Sequence, residues 1–499
     1  MPAASTLKNT VLMLLAGASA TLSFAPFNWP LFSVISLLGA YLLLLRASNG
    51  WWSGWAYGSG FFGAGVSWVY VSIHFHGGMS GFAAAALTAI FCVGLGLLFA
   101  LQFLIYRRLF NRPNPVGFAA LWIGFEWLRS WLLTGFPWLY LGYAWIDTPL
   151  ATLAPIGGVW LVSTAVVVIS MLLADALLRR KTIPLIAATF LFLGASLLPK
   201  ATLDKSDSVI PIALIQPNIS QSLKWQQSHF DAHIEQLGQL SRTAPEAAWI
   251  IWPETAIPRL INNSFDVLAP WLEEFESRHQ ILVSGFPRRE WREDTQRWVY
   301  LNSIGTLTGV ASVYDKQRLV PFGEYIPLEN WLRGAIEFFN LPMSSFSLPH
   351  RTGQGLQIGD ELVSAAICYE IAYPELVRQQ TAAGATLLLT VSNDTWFEGS
   401  HAPAQHLQIA RMRALENHRW LIRATNNGLT AIIDPLGRVA AQVPDKSAQV
   451  LQAKVWPSGK ETLYQRFGAY PTLAIWLIIL LGSLIRALIH ARRQRAFEH

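Results

Sequence analysis

Long apolar runs, separated by short polar connections, fill the first 200 residues of the chain. A run of about 20 apolar residues is long enough to cross a bilayer as a helix. Candidate segments lie at residues 9–26, 30–46, 53–73, 82–106, 115–134, 151–178, 183–199 and 470–490. The pattern predicts a polytopic α-helical membrane bundle of about eight spans, with seven in residues 1–200 and the last, with its tail, in 469–499.

In the intervening residues 201–468 the apolar runs are shorter, as is typical of a mixed α/β domain. Apolar runs of a few residues bounded by polar ones predict buried strands, at 209–216, 281–285, 301–307, 311–314, 362–368, 386–392, 420–425 and 429–433. Apolar residues at helical spacing predict helices at 230–243, 265–279 and 403–418. Helices on both sides of buried strands favour a layered α/β domain.

Composition and charge agree with a membrane protein that carries a large polar domain. Charged residues make up 14% of the chain, against about 25% in soluble domains. The basic residues lie at the ends of apolar runs, on every second connection, whereas the connections at 27–29, 74–81 and 135–150 hold no Lys or Arg. By the positive-inside rule, both termini are predicted on the cytoplasmic side and residues 201–468 on the outer side. The basic residues form no patch on a folded face that predicts nucleic-acid binding.

Three predicted strand ends carry residues suited to acyl transfer. Cys368 ends one strand, Glu254 follows the apolar residues 248–252, and Lys316 follows the strand at 311–314. A thiol attacks only as a thiolate and needs a base or a nearby cation. Glu254 is a candidate base, and Lys316 a candidate donor to the oxyanion of a tetrahedral intermediate. Taken singly, the three residues also fit a small buried hydrophobe, a turn acid and a solvated surface charge.

The motifs around these residues resemble those of a known superfamily. Trp-Pro-Glu-Thr, Tyr-x-Lys-x-x-Leu-Val-Pro-Phe-Gly-Glu and Ile-Cys-Tyr-Glu are similar to the Glu-Lys-Cys motifs of the nitrilase superfamily. With membrane spans ahead of them, they resemble the apolipoprotein N-acyltransferases of Gram-negative bacteria. The likeness implies an αββα sandwich for residues 201–468. Arg318 and Glu398 depart from the family pattern, where histidine and glycine are expected.

The resemblance also implies supporting residues around the triad of Glu254, Lys316 and Cys368. These are an acid that positions or polarises the lysine, two residues beside the cysteine and a tryptophan near the substrate, namely Glu324, Tyr369, Glu370 and Trp225. Hydrogen bonding without proton transfer remains an alternative for Glu324 and Glu370. Packing in the core remains an alternative for Trp225.

The implied activity moves a fatty acyl chain from a phospholipid, through a thioester on Cys368, to the N-terminal diacylglyceryl-cysteine of an apolipoprotein. The implied location is the bacterial inner membrane, with a periplasmic catalytic domain. Cofactors and metals are not expected, since His74 and His76 have no third ligand nearby. The alternatives are a membrane-tethered amidase that hydrolyses its thioester, and a transporter with an outer regulatory domain.

Two further segments carry expectations. Glu126 and Arg129 are three residues apart in an apolar helix, a spacing that predicts an ion pair, with direct substrate contact as the alternative for such intramembrane charges. The connection at 328–348 is rich in large apolar residues, including Phe338 and Phe339. It is predicted to form an interfacial segment or lid, with an ordinary buried helix and loop as the alternative.

Overall fold

A computed structural model of the chain describes residues 2–199, 208–325 and 345–497. The protein divides into two compact units, one formed by residues 1–70, 81–200 and 467–499, and the other by residues 71–80 and 201–466. The predicted lid, with Phe338 and Phe339, lies outside the described residues.

The first unit is helical. Each predicted apolar segment contains a helix, and the helices are Pro2–Ser19, Leu31–Arg46, Gly50–Gly65, Gly81–Leu109, Pro115–Leu128, Ala154–Arg179, Ile183–Ala195 and Tyr470–Phe497. Among the described residues, three stretches are long and apolar enough to cross a membrane, namely Gly81–Leu109, Pro149–Arg179 and Tyr470–Ile489. The helices Leu31–Arg46, Pro115–Leu128 and Ile183–Ala195 are apolar but shorter. The chain is therefore a membrane protein with several apolar helices.

Glycines allow the helices of this unit to pack backbone against backbone. A Cβ atom at Gly17 would lie 2.0 Å from the Tyr57 carbonyl oxygen, and one at Gly60 would lie 2.0 Å from the Leu14 carbonyl oxygen. No side chain larger than hydrogen fits at either position. Small residues of this kind are typical of helix contacts in membranes, where close van der Waals packing drives association.

The predicted ion pair within the bundle is confirmed. Arg129 lies 3.8 Å from Glu126, and both side chains are almost fully buried. Glu126 also accepts a hydrogen bond of 2.7 Å from the Leu141 backbone N–H. The Arg129 guanidinium lies 5.2 Å from the centre of the Tyr140 ring. Both charges are thus used to hold the aromatic segment that follows the helix.

The second unit is a sandwich of two six-stranded sheets. Its strands are β1 (Ile210–Gln216), β2 (Trp249–Ile251), β3 (Ile281–Arg292), β4 (Arg297–Thr306), β5 (Val313–Asp315), β6 (Leu356–Ile358), β7 (Glu361–Ile367), β8 (Leu387–Ser392), β9 (Leu421–Thr425), β10 (Ala431–Ile433), β11 (Val439–Gln442) and β12 (Gln449–Val455). One sheet has the order β12-β1-β2-β3-β4-β5, and the other has the order β11-β10-β9-β8-β7-β6.

Helices cover the outer face of each sheet, so the αββα sandwich implied by the resemblance is confirmed. Apolar side chains of both sheets meet in a central core. Helices Phe230–Arg242 and Phe265–Ser277 pack on the first sheet. Helices Pro374–Ala382 and Ala402–Asn417 pack on the second. These layers place the ends of β2, β5, β7 and β8, and the loops after them, around one site.

One hairpin is much longer than predicted. Strands β3 and β4 pair in antiparallel fashion as far as Arg292 and Arg297, whereas apolar runs alone predict strands at 281–285 and 301–307. The outer half of the hairpin is exposed and polar, so its sequence carries no buried-strand pattern. Cross-strand contacts stabilise it instead, such as the edge-to-face pair of Trp291 and Trp298, whose ring centroids are 5.5 Å apart.

Candidate active site

Glu254 lies three residues after the end of β2 and is held by two amide donors. Its Oε1 accepts a hydrogen bond of 3.0 Å from the Asn302 side chain in β4. Its Oε2 accepts one of 3.0 Å from the backbone N–H of Asn393, the residue after β8. The carboxylate is almost completely buried. These bonds fix both oxygens, one to each sheet of the sandwich.

Lys316 directly follows β5 and lies between two carboxylates. Its Nζ is 2.8 Å from Glu324 Oε1 and 3.6 Å from Glu254 Oε1. Its backbone N–H donates to the Asn302 carbonyl at 2.8 Å. Burial lowers the pKa of the lysine, but the charges of Glu324 and Glu254 outweigh burial, so the pKa is raised overall. Lys316 is therefore a fixed ammonium group, not a proton acceptor.

Cys368 follows β7 at a sharp turn. Its φ of 54° lies in the left-handed region, which costs a non-glycine residue energy and persists only where the surroundings impose it. Burial and, to a smaller extent, the charge of Glu254 raise the pKa of the thiol to about 12, although Lys316 opposes them. The residue is nevertheless partly exposed. A thiol in this state is protonated at rest, so attack requires a base beside it.

Glu370 anchors the turn that carries the cysteine. Its Oε2 accepts the Ile367 N–H at 2.7 Å, and its Oε1 accepts the Gln317 N–H at 2.6 Å, together with bonds from Arg318 and Tyr314. Burial raises its pKa to about 7, although Lys316 and the backbone donors lower it. Glu370 therefore ties the strand end before Cys368 to the loop after Lys316.

The other three predicted supporting residues differ in whether they contact the triad. Glu324 contacts Lys316 directly, and its Oε2 accepts the Val320 N–H at 2.9 Å. Tyr369 is half-buried and packs edge-to-face on Tyr373, with ring centroids 5.3 Å apart. Trp225 is half-buried in a small apolar cluster separate from the sandwich core, which we call the aromatic cluster. Its members are Trp225, Leu319, Tyr325, Phe346 and Trp396.

Sequence reasoning missed several polar residues that hold the triad. The Asn302 amide donates to both Glu254 and Glu324, at 3.0 Å each. Lys224 is buried and donates to the Glu254 carbonyl oxygen at 2.9 Å. Burial lowers its pKa to about 8, against the opposing effect of Glu254 and Cys368. The polar run at 392–394, which follows an apolar strand just as Cys368 does, was a usable signal for Asn393.

The two residues that depart from the family pattern lie outside the triad. The Arg318 guanidinium lies 5.4 Å from the centre of the Tyr373 ring, and its backbone N–H binds Glu370. Glu398 forms an ion pair of 3.3 Å with Lys446. Within the described part of the chain, neither side chain forms a hydrogen bond or an ion pair with Glu254 or Lys316.

Comparison with known proteins agrees with this geometry. The family model for the apolipoprotein N-acyltransferase N-terminal domain matches residues 16–172, and that for carbon-nitrogen hydrolase matches residues 211–462. The apolipoprotein N-acyltransferase of Pseudomonas putida is 43% identical over 95% of this chain and 95% of its own length. That of Pseudomonas aeruginosa is 40% identical over 98% of both chains. The chain belongs to the apolipoprotein N-acyltransferase family.

As a member of this family the protein is an acyltransferase, and its second unit has the carbon-nitrogen hydrolase fold. A solved nitrilase-superfamily structure, Nit3 of Saccharomyces cerevisiae, is 17% identical, with a TM-score of 0.37, over 55% of this chain and 97% of its own. Family membership does not favour the alternatives of a thioester hydrolase or a transporter.

Proposed function

We propose that the enzyme transfers a fatty acyl chain from a phospholipid to the N-terminal amine of a diacylglyceryl-apolipoprotein, through a thioester on Cys368. The observation that carries the proposal is the buried Lys316 ammonium, held between Glu324 and Glu254 beside a neutral thiol. A cation, a base and a nucleophile in one buried site are the parts required for acyl transfer.

In the first half-reaction Glu254 accepts the thiol proton as the Cys368 sulfur attacks the carbonyl carbon of the donor ester. Lys316 donates a hydrogen bond to the oxyanion that forms. The bond between the acyl carbon and the glycerol oxygen then breaks, and Glu254 returns the proton to that oxygen. The products are S-acyl Cys368 and a lysophospholipid.

In the second half-reaction the amine of the acceptor attacks the thioester carbon. An α-amino group has a pKa of about 7.7–8.0, so a substantial minority of it is neutral at physiological pH. Glu254 accepts one of the two N–H protons of the neutral amine as the C–N bond forms and gives it to the departing sulfur, while the other stays on the amide nitrogen. The products are an amide on the acceptor and the free thiol of Cys368, ready for another donor.

The surroundings of the site support lipid substrates. In the aromatic cluster, the side chains of Trp225 and Trp396 are half-exposed. Phe322, which lies in the sequence between the cluster members Leu319 and Tyr325, is exposed. Apolar groups in these positions suit an acyl chain, because its transfer out of water stabilises binding by about 0.8 kcal/mol per buried CH₂. We assign Trp225 and Tyr369 to substrate contact, and Glu324 and Glu370 to positioning of Lys316 and Cys368.

The proposal includes a membrane topology. All eight apolar helices of the first unit would cross the bacterial inner membrane, with both termini in the cytoplasm and the catalytic domain, residues 201–468, in the periplasm. The support is the asymmetry of the connections, since Arg107, Arg108 and Arg112 lie on one predicted side and the connection at 135–150 holds no Lys or Arg.

Purified enzyme, incubated with acyl-labelled phospholipid, tests the proposal. Donor alone should give one lysophospholipid per enzyme and a stable acyl group on the protein. Addition of a diacylglyceryl lipopeptide with a free amine should move the label to the peptide as an amide. Steady release of free fatty acid without an acceptor would contradict the proposal and indicate a hydrolase.

A further inference from the structure

Behind the nucleophile lies a buried polar network that the reaction scheme does not use. His406, on the helix Ala402–Asn417, places its Nε2 at 3.1 Å from the carbonyl oxygen of Cys368. On the other side of the ring, Nδ1 lies 3.1 Å from Arg423 Nη2 and 3.3 Å from Asp394 Oδ1. His406, Asp394 and Arg423 are 5%, 3% and 0% exposed.

The hydrogen bonds select one tautomer of the ring. A carbonyl oxygen only accepts, so Nε2 of His406 carries the proton. Arg423 only donates, and it supplies hydrogen bonds to Nδ1 and, at 2.7 Å, to Asp394 Oδ2. The other carboxylate oxygen is satisfied by the Ser392 hydroxyl at 2.6 Å. Burial and the charge of Arg423 lower the pKa of His406, although Asp394 opposes them, so the imidazole is neutral.

The network also reaches the base. Asn393, between Ser392 and Asp394, donates its backbone N–H to Glu254 Oε2. The turn that fixes Glu254 is thus fixed by the same buried groups that bind the Cys368 carbonyl. Because Cys368 has a positive φ, its backbone requires external contacts to keep this conformation. Glu370 supplies such a contact before the cysteine, through Ile367, and His406 supplies the one on the cysteine itself.

We propose that His406 is a positioning residue, whose Nε2–H, oriented by the Arg423 guanidinium that Asp394 holds in place, keeps the strained backbone of Cys368 in line with Glu254. The inference rests on the proposed nucleophilic role of Cys368. It gives the network a kinetic function in acylation, beyond the stability that any buried hydrogen bond supplies. A misplacement of about 1 Å in reacting groups is sufficient to slow a reaction by about 10²-fold.

Three substitutions of His406 separate this role from packing. In His406→Gln the side-chain amide N–H reaches the position of Nε2, whereas in His406→Asn it reaches only that of Nδ1, and His406→Leu has no donor. The measurement is the single-turnover rate constant for acyl-Cys368 formation from phospholipid, followed by intact-protein mass. A rate constant does not depend on the fraction of enzyme that is folded.

We expect the Asn and Leu variants to acylate about 10²-fold more slowly, with little change in the donor concentration that gives half-maximal rate. The Gln variant should stay within about tenfold of the parent. His418→Asn is the matched control, because His418 is equally buried, at 3% exposed, just after the same helix. It should lower the melting temperature and leave the rate constant unchanged.

Two results would overturn the inference: parental acylation rates in the Asn and Leu variants, or a Gln variant as slow as the Leu variant. Failure of the proposed function would look different. In that case neither the parent enzyme nor any variant at position 406 would form an acyl-Cys368 adduct with phospholipid alone.

Discussion

Replacement of Glu324 by glutamine tests how the lysine is held. Glu324 Oε1 is the nearer carboxylate to Lys316, at 2.8 Å against 3.6 Å for Glu254 Oε1. Both Glu324 oxygens accept hydrogen bonds, from Lys316 and Asn302 on one side and from the Val320 N–H on the other. In glutamine one of the two carboxylate oxygens is replaced by an NH₂ group, which donates and does not accept. Either Lys316 and Asn302 or the Val320 N–H would therefore face a donor in place of an acceptor.

The expected cost follows from these contacts. A hydrogen bond to a charged group contributes about 1.5–3 kcal/mol, equivalent to about 10- to 100-fold in rate when it is lost from the transition state. Lys316 is then paired with Glu254 alone, and it moves towards the base and away from the oxyanion. We therefore expect Glu324→Gln to slow both half-reactions by about 10²-fold, while Cys368 remains in place.

The assay is quenched-flow acylation with phospholipid, followed by a chase of the acyl-enzyme with lipopeptide. Glu274→Gln is the matched control, because Glu274 pairs with Arg242 and Arg278 at the surface of the same unit. It should be indistinguishable from the parent. Parental rates in Glu324→Gln would refute the reasoning, and so would a defect in acylation with normal discharge, since Lys316 is proposed to serve both steps.

Three further predictions concern the nucleophile, the base and the topology. Cys368→Ala should form no acyl-protein and release no lysophospholipid, as seen by mass and lipid chromatography. In Glu254→Gln the residual acylation rate should rise steadily from pH 7 to 9, because burial still raises the pKa of the thiol and the thiolate fraction grows as pH rises; a flat pH profile would contradict Glu254 as the base. With Cys92 and Cys368 removed, a cysteine at Glu293 should react with an impermeant maleimide in intact spheroplasts, and one at Arg112 only after lysis.

The triad could be predicted from the sequence because each member follows an apolar run. Glu254, Lys316 and Cys368 come directly after, or close to, the ends of β2, β5 and β7, and the change from apolar to reactive residues marks the boundary. The helices were predictable for the same reason, since a hydrophobic period is a local property. Helix Ala402–Asn417 was predicted at 403–418.

The parts of the fold and of the site that could not be predicted depend on contacts between residues far apart in the chain. Strand β12 pairs with β1 across more than 200 residues, with Val455 opposite Ile210, and its half-exposed sequence has no strong strand pattern. Asn302 lies in the middle of β4, where an amide between Leu301 and Ser303 gives no sign of its two carboxylate partners. His406 lies within a helix with a predicted apolar face, and only the fold brings it to the Cys368 carbonyl.

The charges of the site explain why the thiol is both stable and reactive. At rest, burial and the negative charge of Glu254 disfavour a thiolate at Cys368, and the positive charge of Lys316 only partly offsets them. This balance and burial keep Cys368 protonated. In the proposed mechanism, the proton moves to Glu254 when a donor ester is bound, and the negative charge passes through sulfur to the carbonyl oxygen, where Lys316 would stabilise it. On this proposal the site favours charge on the substrate oxygen over charge on the resting cysteine, which is the difference that a catalyst of acyl transfer requires.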